Sequence, residues 1–206
     1  MKKSLLVVFL LTAFSISAQD AYEKEMKDYQ YKENLKFHDK ATSPLTAEGM
    51  KKFTALDFYT IDKKYKVVAQ LVKEKNPVVF GMPTTTDRKP LYIKYGTVIL
   101  TIDGVEQQLA IYQNKDFGRP PQYRNHLFLP FTDKTSGTTS YGGGRYVDVL
   151  TTDENADGTE ITIDFNKTYN PYCAYSGRYS CPITPKENNV TVPIKAGVMA
   201  YEKQKL

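Results

Sequence analysis

The chain has 206 residues, 41% hydrophobic and 25% charged, with a formal charge of +5. That balance excludes collagen-like, disordered and polytopic membrane chains and suits one domain with a core of its own. Two cysteines cannot build a disulfide-dense scaffold, and 16 Tyr and 10 Phe without Trp favour strands.

Residues 1–18 pair a positive start, Lys2-Lys3, with an apolar run from Leu5 to Leu11 and a small-residue tail from Ser15 to Ala18. That pattern predicts a secretory signal peptide cut after Ala18. The run is about half the roughly 20 residues a spanning helix needs, so no membrane span is expected once the leader is removed. No Cys stands near the cut, which argues against a lipid anchor. Export to the periplasm or the outside is the expected localisation. Losing Lys2 and Lys3 lowers the charge to +3, and the remaining basic residues are scattered, so no nucleic-acid partner is expected.

Residues 20–38 lack Gly and Pro, and Tyr22, Met26 and Tyr29 fall on one helical stripe. Such a stripe is expected to pack over an open end of the protein's own sheet. Ser43-Pro44 reads as the cap and first turn of a second helix reaching about Phe53. From Lys66 the pattern turns to strands, at 66–72, 77–82, 91–102, 105–112, 126–131, 145–150, 160–165 and 189–197. Asp103-Gly104 is a hairpin turn signal. These elements predict a mainly β fold, an antiparallel sandwich or barrel of about eight strands with a short N-terminal helical cap. The organisation expected is a leader over 1–18, a helical segment over 19–54 and a single β domain over 55–206.

The segment 145–166 reads as a hairpin. Val147 and Val149 share one face of its first strand, and Ile161, Ile163 and Phe165 share one face of the second. Joining the apolar faces sets Val149 against Ile163, and so Asp148 against Asp164. Two opposed carboxylates need an Arg, a cation or a shared proton between them. Arg145 heads the same strand, with Arg119, Arg124 and Arg178 in nearby loops. The arrangement suits either a solvated face with an Arg between the acids or a polar pocket of Tyr141, Arg145, Asp148, Asp164, Asn166, Asn170 and Glu187. A two-residue slip keeps the faces and removes the opposition.

Asp153, Asn155 and Asp157 open a calcium-loop spacing that ends on Asp164, but strand-like flanks argue against an EF-hand, and Asp157-Gly158 is ordinary turn chemistry. Calcium is the only cofactor the spacing suggests. Cys173 and Cys181, eight apart in a Pro- and Tyr-rich loop, are expected to form a structural disulfide in an exported chain. His38 and His126 form no metal-ligand spacing, and Ser136 and Ser140 lack a nucleophile-elbow frame. Gly142-Gly143-Gly144 reads as a tight bend and not as a phosphate loop.

Phe128 to Gly197 carries an unusual series of short motifs. Among them are Pro130-Phe131, Asp133, Thr135-Ser136-Gly137, Tyr141-Gly142, Gly144-Arg145-Tyr146, Asp164-Phe165-Asn166, Tyr169-Asn170-Pro171, Cys173-Ala174, Cys181-Pro182, Pro185, Glu187-Asn188 and Ala196-Gly197. With Ser43-Pro44-Leu45 and residues 65–69, this closely resembles a bacterial family known as domain of unknown function 1684. Gly143 departs from it, since relatives often carry Ala there. The resemblance implies no activity.

The leading expectation is therefore an exported β protein that binds a small polar ligand near Arg145, Asn166 and Asn170. Tyr141, Tyr146 and Tyr169 would serve as stacking walls for a sugar or other ring compound. One alternative is a hydrolase using Asp148 and Asp164 as a glycosidase-like acid and base. Another is a non-catalytic envelope interaction module that docks through the N-terminal helix. The sequence does not decide the oligomeric state.

Overall fold

The computed structural model describes residues 3–116, 118 and 120–201, with side chains from residue 20 onward. Helix α1 (Lys3–His38) is continuous. The expected leader and its cleavage point lie outside the residues whose side chains are described, and so does Arg119. Among the described residues, no helix is long and apolar enough to cross a membrane. The expected stripe is the packed face of α1: Tyr22 and Met26 are buried, and so is Phe37 two turns beyond Tyr29. Helix α2 (Ala47–Lys52) starts later than expected, because Thr46 is its cap and accepts from the Gly49 N–H at 3.0 Å. Ser43 instead is buried, where its hydroxyl accepts from the Leu45 N–H.

Seven strands follow, β1 (Lys66–Lys73), β2 (Phe80–Gly81), β3 (Leu91–Ile102), β4 (Val105–Asn114), β5 (His126–Phe131), β6 (Arg145–Leu150) and β7 (Glu160–Asp164). They form one antiparallel sheet in the order β6-β5-β4-β3-β1-β7, with β2 added to β3. The expected strand at 77–82 shrinks to two paired residues, and Val78 and Val79 ahead of them are exposed. Close strand approach explains Gly96: a Cβ there would stand 2.6 Å from the Val72 carbonyl oxygen.

The sheet curls into a half-barrel. Alternate residues of its long strands point inward, among them Leu71, Val98, Leu100, Leu109, Ile111, Leu127, Leu129, Val147, Val149, Ile161 and Ile163. Period-two alternation thus places Val147, Val149, Ile161, Ile163 and Phe165 on the core face, as the spacing predicts. It does not predict the neighbours. β6 and β7 are not a hairpin: β6 pairs with β5 (Leu127↔Val149) and β7 pairs with β1 (Val67↔Ile163), so they sit at opposite edges. Their apolar faces meet across the barrel interior, which meets the same hydrophobic demand without a ladder between them. The β6 edge is closed instead by Tyr169, whose N–H and C=O both pair with Tyr146 at 3.0 and 2.9 Å.

The strand expected over 189–197 is absent. These residues form an irregular plug in the open side of the half-barrel, with Val190, Ile194, Ala196 and Val198 buried. Pro193 has no N–H to give a ladder, and side chains take over several of the segment's backbone groups, while the Val190 and Val198 N–H groups donate to the Thr132 and Thr168 carbonyls. Gln107 accepts from the Thr191 N–H at 2.9 Å, and Asp133 accepts from the Ile194 N–H at 2.5 Å. Asn188, at the head of the plug, stitches β4 to β5 where their ladder registers a single pair (Tyr112↔Phe128). Its amide donates to Ala110 O and Pro130 O and accepts from the Ala110 N–H.

Candidate functional site

Arg145 belongs to the interior. It has the parity of Val147 and Val149, so its guanidinium enters the barrel and is fully buried. It donates to the carbonyls of Ile194 (2.7 Å), Ala196 (2.6 Å) and Val198 (3.3 Å), and pairs with Asp133 at 3.5 Å. The rings of Phe131 and Tyr59 flank it. Burial pulls its pKa below the ordinary value, and Asp133 opposes that shift. Gly144 delivers it: φ is 91°, and a Cβ would meet the Phe131 carbonyl oxygen at 2.7 Å. Arg145 is thus a clamp on the plug, and the expected ligand contact is corrected. The glycine run is the bend that was expected.

Asp164 and Asn166 form a second centre, beneath α1. The Tyr22 hydroxyl donates to Asp164 at 2.9 Å, and Asn166 donates to the Tyr22 oxygen at 2.9 Å. Asp164 also caps the turn at Phe165–Lys167 by accepting from the Asn166 N–H. These groups anchor the helix to its own sheet, so the face of α1 read as a docking element is already occupied. Burial, then Asp164, raises the Tyr22 phenol above its ordinary value.

Other expected site residues lie elsewhere. Glu187 accepts from the Tyr112 hydroxyl at 2.5 Å and lines a separate groove with Phe80, Met82 and Lys94. Tyr141 adjoins Cys173, and burial raises its phenol. Asp153 caps the Leu150 N–H, Asp157 accepts from Thr159, and Asn155 accepts from Thr159 and Glu160. These calcium-loop candidates serve the turn, and Asp164 lies apart from them under Tyr22. Among the described residues no cluster of three His, Cys, Asp or Glu side chains converges. Cys173 and Cys181 are free thiols, not the expected bridge, with the Cys173 N–H donating to Cys181 Sγ at 3.2 Å.

The outer face of the sheet does form a cleft, of about 540 Å³. Its floor is Tyr92, Phe128 and Tyr146, alternate residues of β3, β5 and β6. One wall is the 169–182 segment with Tyr169, Tyr172 and Tyr179; the other is α1 with Tyr29, Glu33, Lys36 and Phe37. Rings meet edge to face, Phe128 on Tyr146 at 4.7 Å and Tyr146 on Tyr169 at 5.8 Å. Asp148 is the exposed carboxylate here. Its Oδ1 accepts from the Tyr169 hydroxyl at 2.8 Å and stands 3.1 Å from His126 Nε2. Burial, then Asp148, raises the Tyr169 phenol well above its usual value, which keeps it a donor.

Of the expected pocket residues, Asp148 and Asn170 line this cleft, with Tyr146 and Tyr169 among the expected walls. Arg145, Asp164, Asn166, Tyr141 and Glu187 do not. Asp148 and Asp164 therefore do not share a cleft, and the acid–base pair of a glycosidase is not assembled there. His126 lies in no sequence motif; on β5 it is diagonal to Asp148, since Phe128 pairs with Asp148. Glu33 and Lys36 extend the helical stripe and carry the same kind of signal.

The architecture defines a curled antiparallel half-barrel with a helical cap, a buried C-terminal plug and an aromatic cleft on its outer face. The chain belongs to the family described as "Protein of unknown function (DUF1684)", whose model matches residues 51–199. It is also similar to the solution NMR structure of an uncharacterized protein from gene locus rrnAC0354 of Haloarcula marismortui, at 29% identity and a TM-score of 0.69. That similarity covers 92% of this chain and 99% of the other. Comparison with curated proteins finds no match.

Proposed function

We propose that this protein is an exported binding protein for a small ligand with polar and ring-like character, held in the cleft between α1 and the outer face of the sheet. The observation that supports the reading is an aromatic cavity of ligand size around one fixed carboxylate, Asp148. Cavities of several hundred Å³ with mostly apolar walls and a few convergent polar groups are the usual form of small-molecule sites. Export rests on the leader pattern of residues 1–18, and in an oxidising compartment the adjacent Cys173 and Cys181 thiols would join into the bridge expected from sequence. That bridge would fix the wall of the cleft that carries Cys181.

The test is a thermal-shift screen of the purified protein against small metabolites and glycans. A ligand that binds only the folded state, at free concentration L, stabilises it by RT ln(1 + L/Kd) and so raises the melting temperature. The reading expects at least one stabilising ligand whose effect shrinks in Tyr172→Ala, a variant at a half-exposed wall position. A panel without a stabilising member, or stabilisation indifferent to Tyr172, overturns it.

A further inference from the structure

We infer that the ligand class of the cleft is an organic ammonium cation, and not a neutral sugar; this rests on the binding reading above. Most polar groups of the cleft are already engaged within the protein. The Tyr146 hydroxyl donates to the Pro182 carbonyl, and that of Tyr29 donates to the Lys167 carbonyl. Tyr169 donates to Asp148 and Tyr179 donates to the Ser43 carbonyl. The Ser180 hydroxyl is engaged by threonines and Arg88, and the Asn114 amide by Asp116. A sugar ring presents several hydroxyls, and burying them without partners is costly. The cleft is therefore lined by aromatic rings whose hydroxyls are largely engaged within the protein.

Two acceptors stand outside that pattern: Asn170 Oδ1, which is buried without a partner, and the carboxylate of Asp148, the one that carries charge. Both contacts that fix it, from Tyr169 and His126, fall on Oδ1; Oδ2 has no hydrogen-bond partner among the described residues, and the side chain is 42% exposed. The two lysines of the cleft do not neutralise it. Lys36 is taken by Glu33 at 2.5 Å and Lys167 by Glu25 at 3.0 Å. A carboxylate in a cleft lined by the rings of Phe128, Tyr146, Tyr169 and Tyr172 is the chemistry that holds an ammonium group with apolar substituents. The carboxylate supplies the charge, and the negative ring faces attract the cation and cover its alkyl groups.

The decisive experiment titrates the full mature chain by calorimetry and by amide NMR with four probes. Choline and benzyltrimethylammonium carry the cation, 3,3-dimethylbutan-1-ol is the uncharged isostere of choline, and methyl glucoside is the neutral sugar. The inference expects the two cations to bind and shift cleft resonances. It expects at least tenfold weaker binding of the isostere, and a loss of at least tenfold for the cations in Asp148→Asn. Equal binding of choline and its isostere, or cation binding unchanged in Asp148→Asn, overturns it. Methyl glucoside binding in preference to both cations also overturns it, while leaving the ligand-binding reading intact. If none of the four probes shifts a cleft resonance, the cation assignment is overturned, and the metabolite screen then decides the broader reading separately.

Discussion

The Arg145 guanidinium and the Asp133 carboxylate meet at 3.5 Å with both side chains wholly excluded from solvent. Neither charge is left to the other alone, since Asp133 also accepts from Thr135 and from the Ile194 N–H, and Arg145 covers three carbonyls of the plug. Buried pairs are costly to desolvate, and removing one partner strands the other.

Arg145→Ala is accordingly expected to destabilise by about 3–5 kcal/mol, the range for breaking a buried pair. Urea unfolding measures it. Arg145→Lys should recover only part, because an ammonium cannot span the carbonyls of residues 194, 196 and 198 with a planar fork. A loss below 1 kcal/mol for the alanine variant, on the scale of an ordinary surface change, would contradict the clamp.

Tyr22→Phe removes the hydroxyl that joins α1 to Asp164 and Asn166. The buried carboxylate loses a donor, for an expected cost of about 1–3 kcal/mol. Hydrogen exchange should show earlier opening of α1 than of the central strands, because the anchor lies at that interface. Unchanged exchange in the helix would separate its docking from this hydroxyl.

Alkaline pH should unfold the protein through groups the fold keeps neutral. In the reduced protein burial pushes the Cys181 thiol up to about 12, and burial likewise raises the phenols of Tyr22, Tyr112 and Tyr146. Each folded pKa lies above its unfolded value, so the stability these groups contribute is complete below the unfolded pKa and is lost as pH rises toward the folded one. The unfolded values are about 8.5 for Cys and 10 for Tyr, so urea midpoints should start to fall above about pH 8.5 and more steeply beyond pH 10. A flat profile through pH 11 would show that these groups are solvated in the folded protein.

Oxidation should join Cys173 to Cys181. Chain isolated from an oxidising compartment is expected to weigh two hydrogens less than after reduction, with one intramolecular link. Closing so short a loop stabilises on the order of 2–3 kcal/mol in the chain-entropy model. Intact mass and urea midpoints with and without reductant report both effects. Persistence of two free thiols under oxidising conditions would mean that the 173–181 loop holds them apart.

Local pattern was sufficient for much of the fold. β3, β5 and β6 begin and end where alternation and turn residues place them, and Tyr22 and Met26 pack as their helical spacing requires. The position of Arg145 was legible too, since it shares parity with Val147 and Val149. An Arg on a core face is rare, and parity alone does not set it apart from a residue of a polar pocket. At the candidate site, Asp148, Tyr146 and Tyr169 were in view, whereas the helix wall and His126 came only with the pairing.

What the residues determined by themselves is which side of each strand is apolar, because side chains alternate whatever the neighbours are. Only the tertiary structure decided which strands lie together. Val147 and Ile163 satisfy the same hydrophobic requirement across a barrel as along a ladder, and nothing in the alternation distinguishes the two. That choice sent Asp164 under the helix and left Asp148 at the cleft. It also left the backbone of residues 189–198 to be satisfied by buried side chains together with isolated backbone contacts at residues 59, 132 and 168.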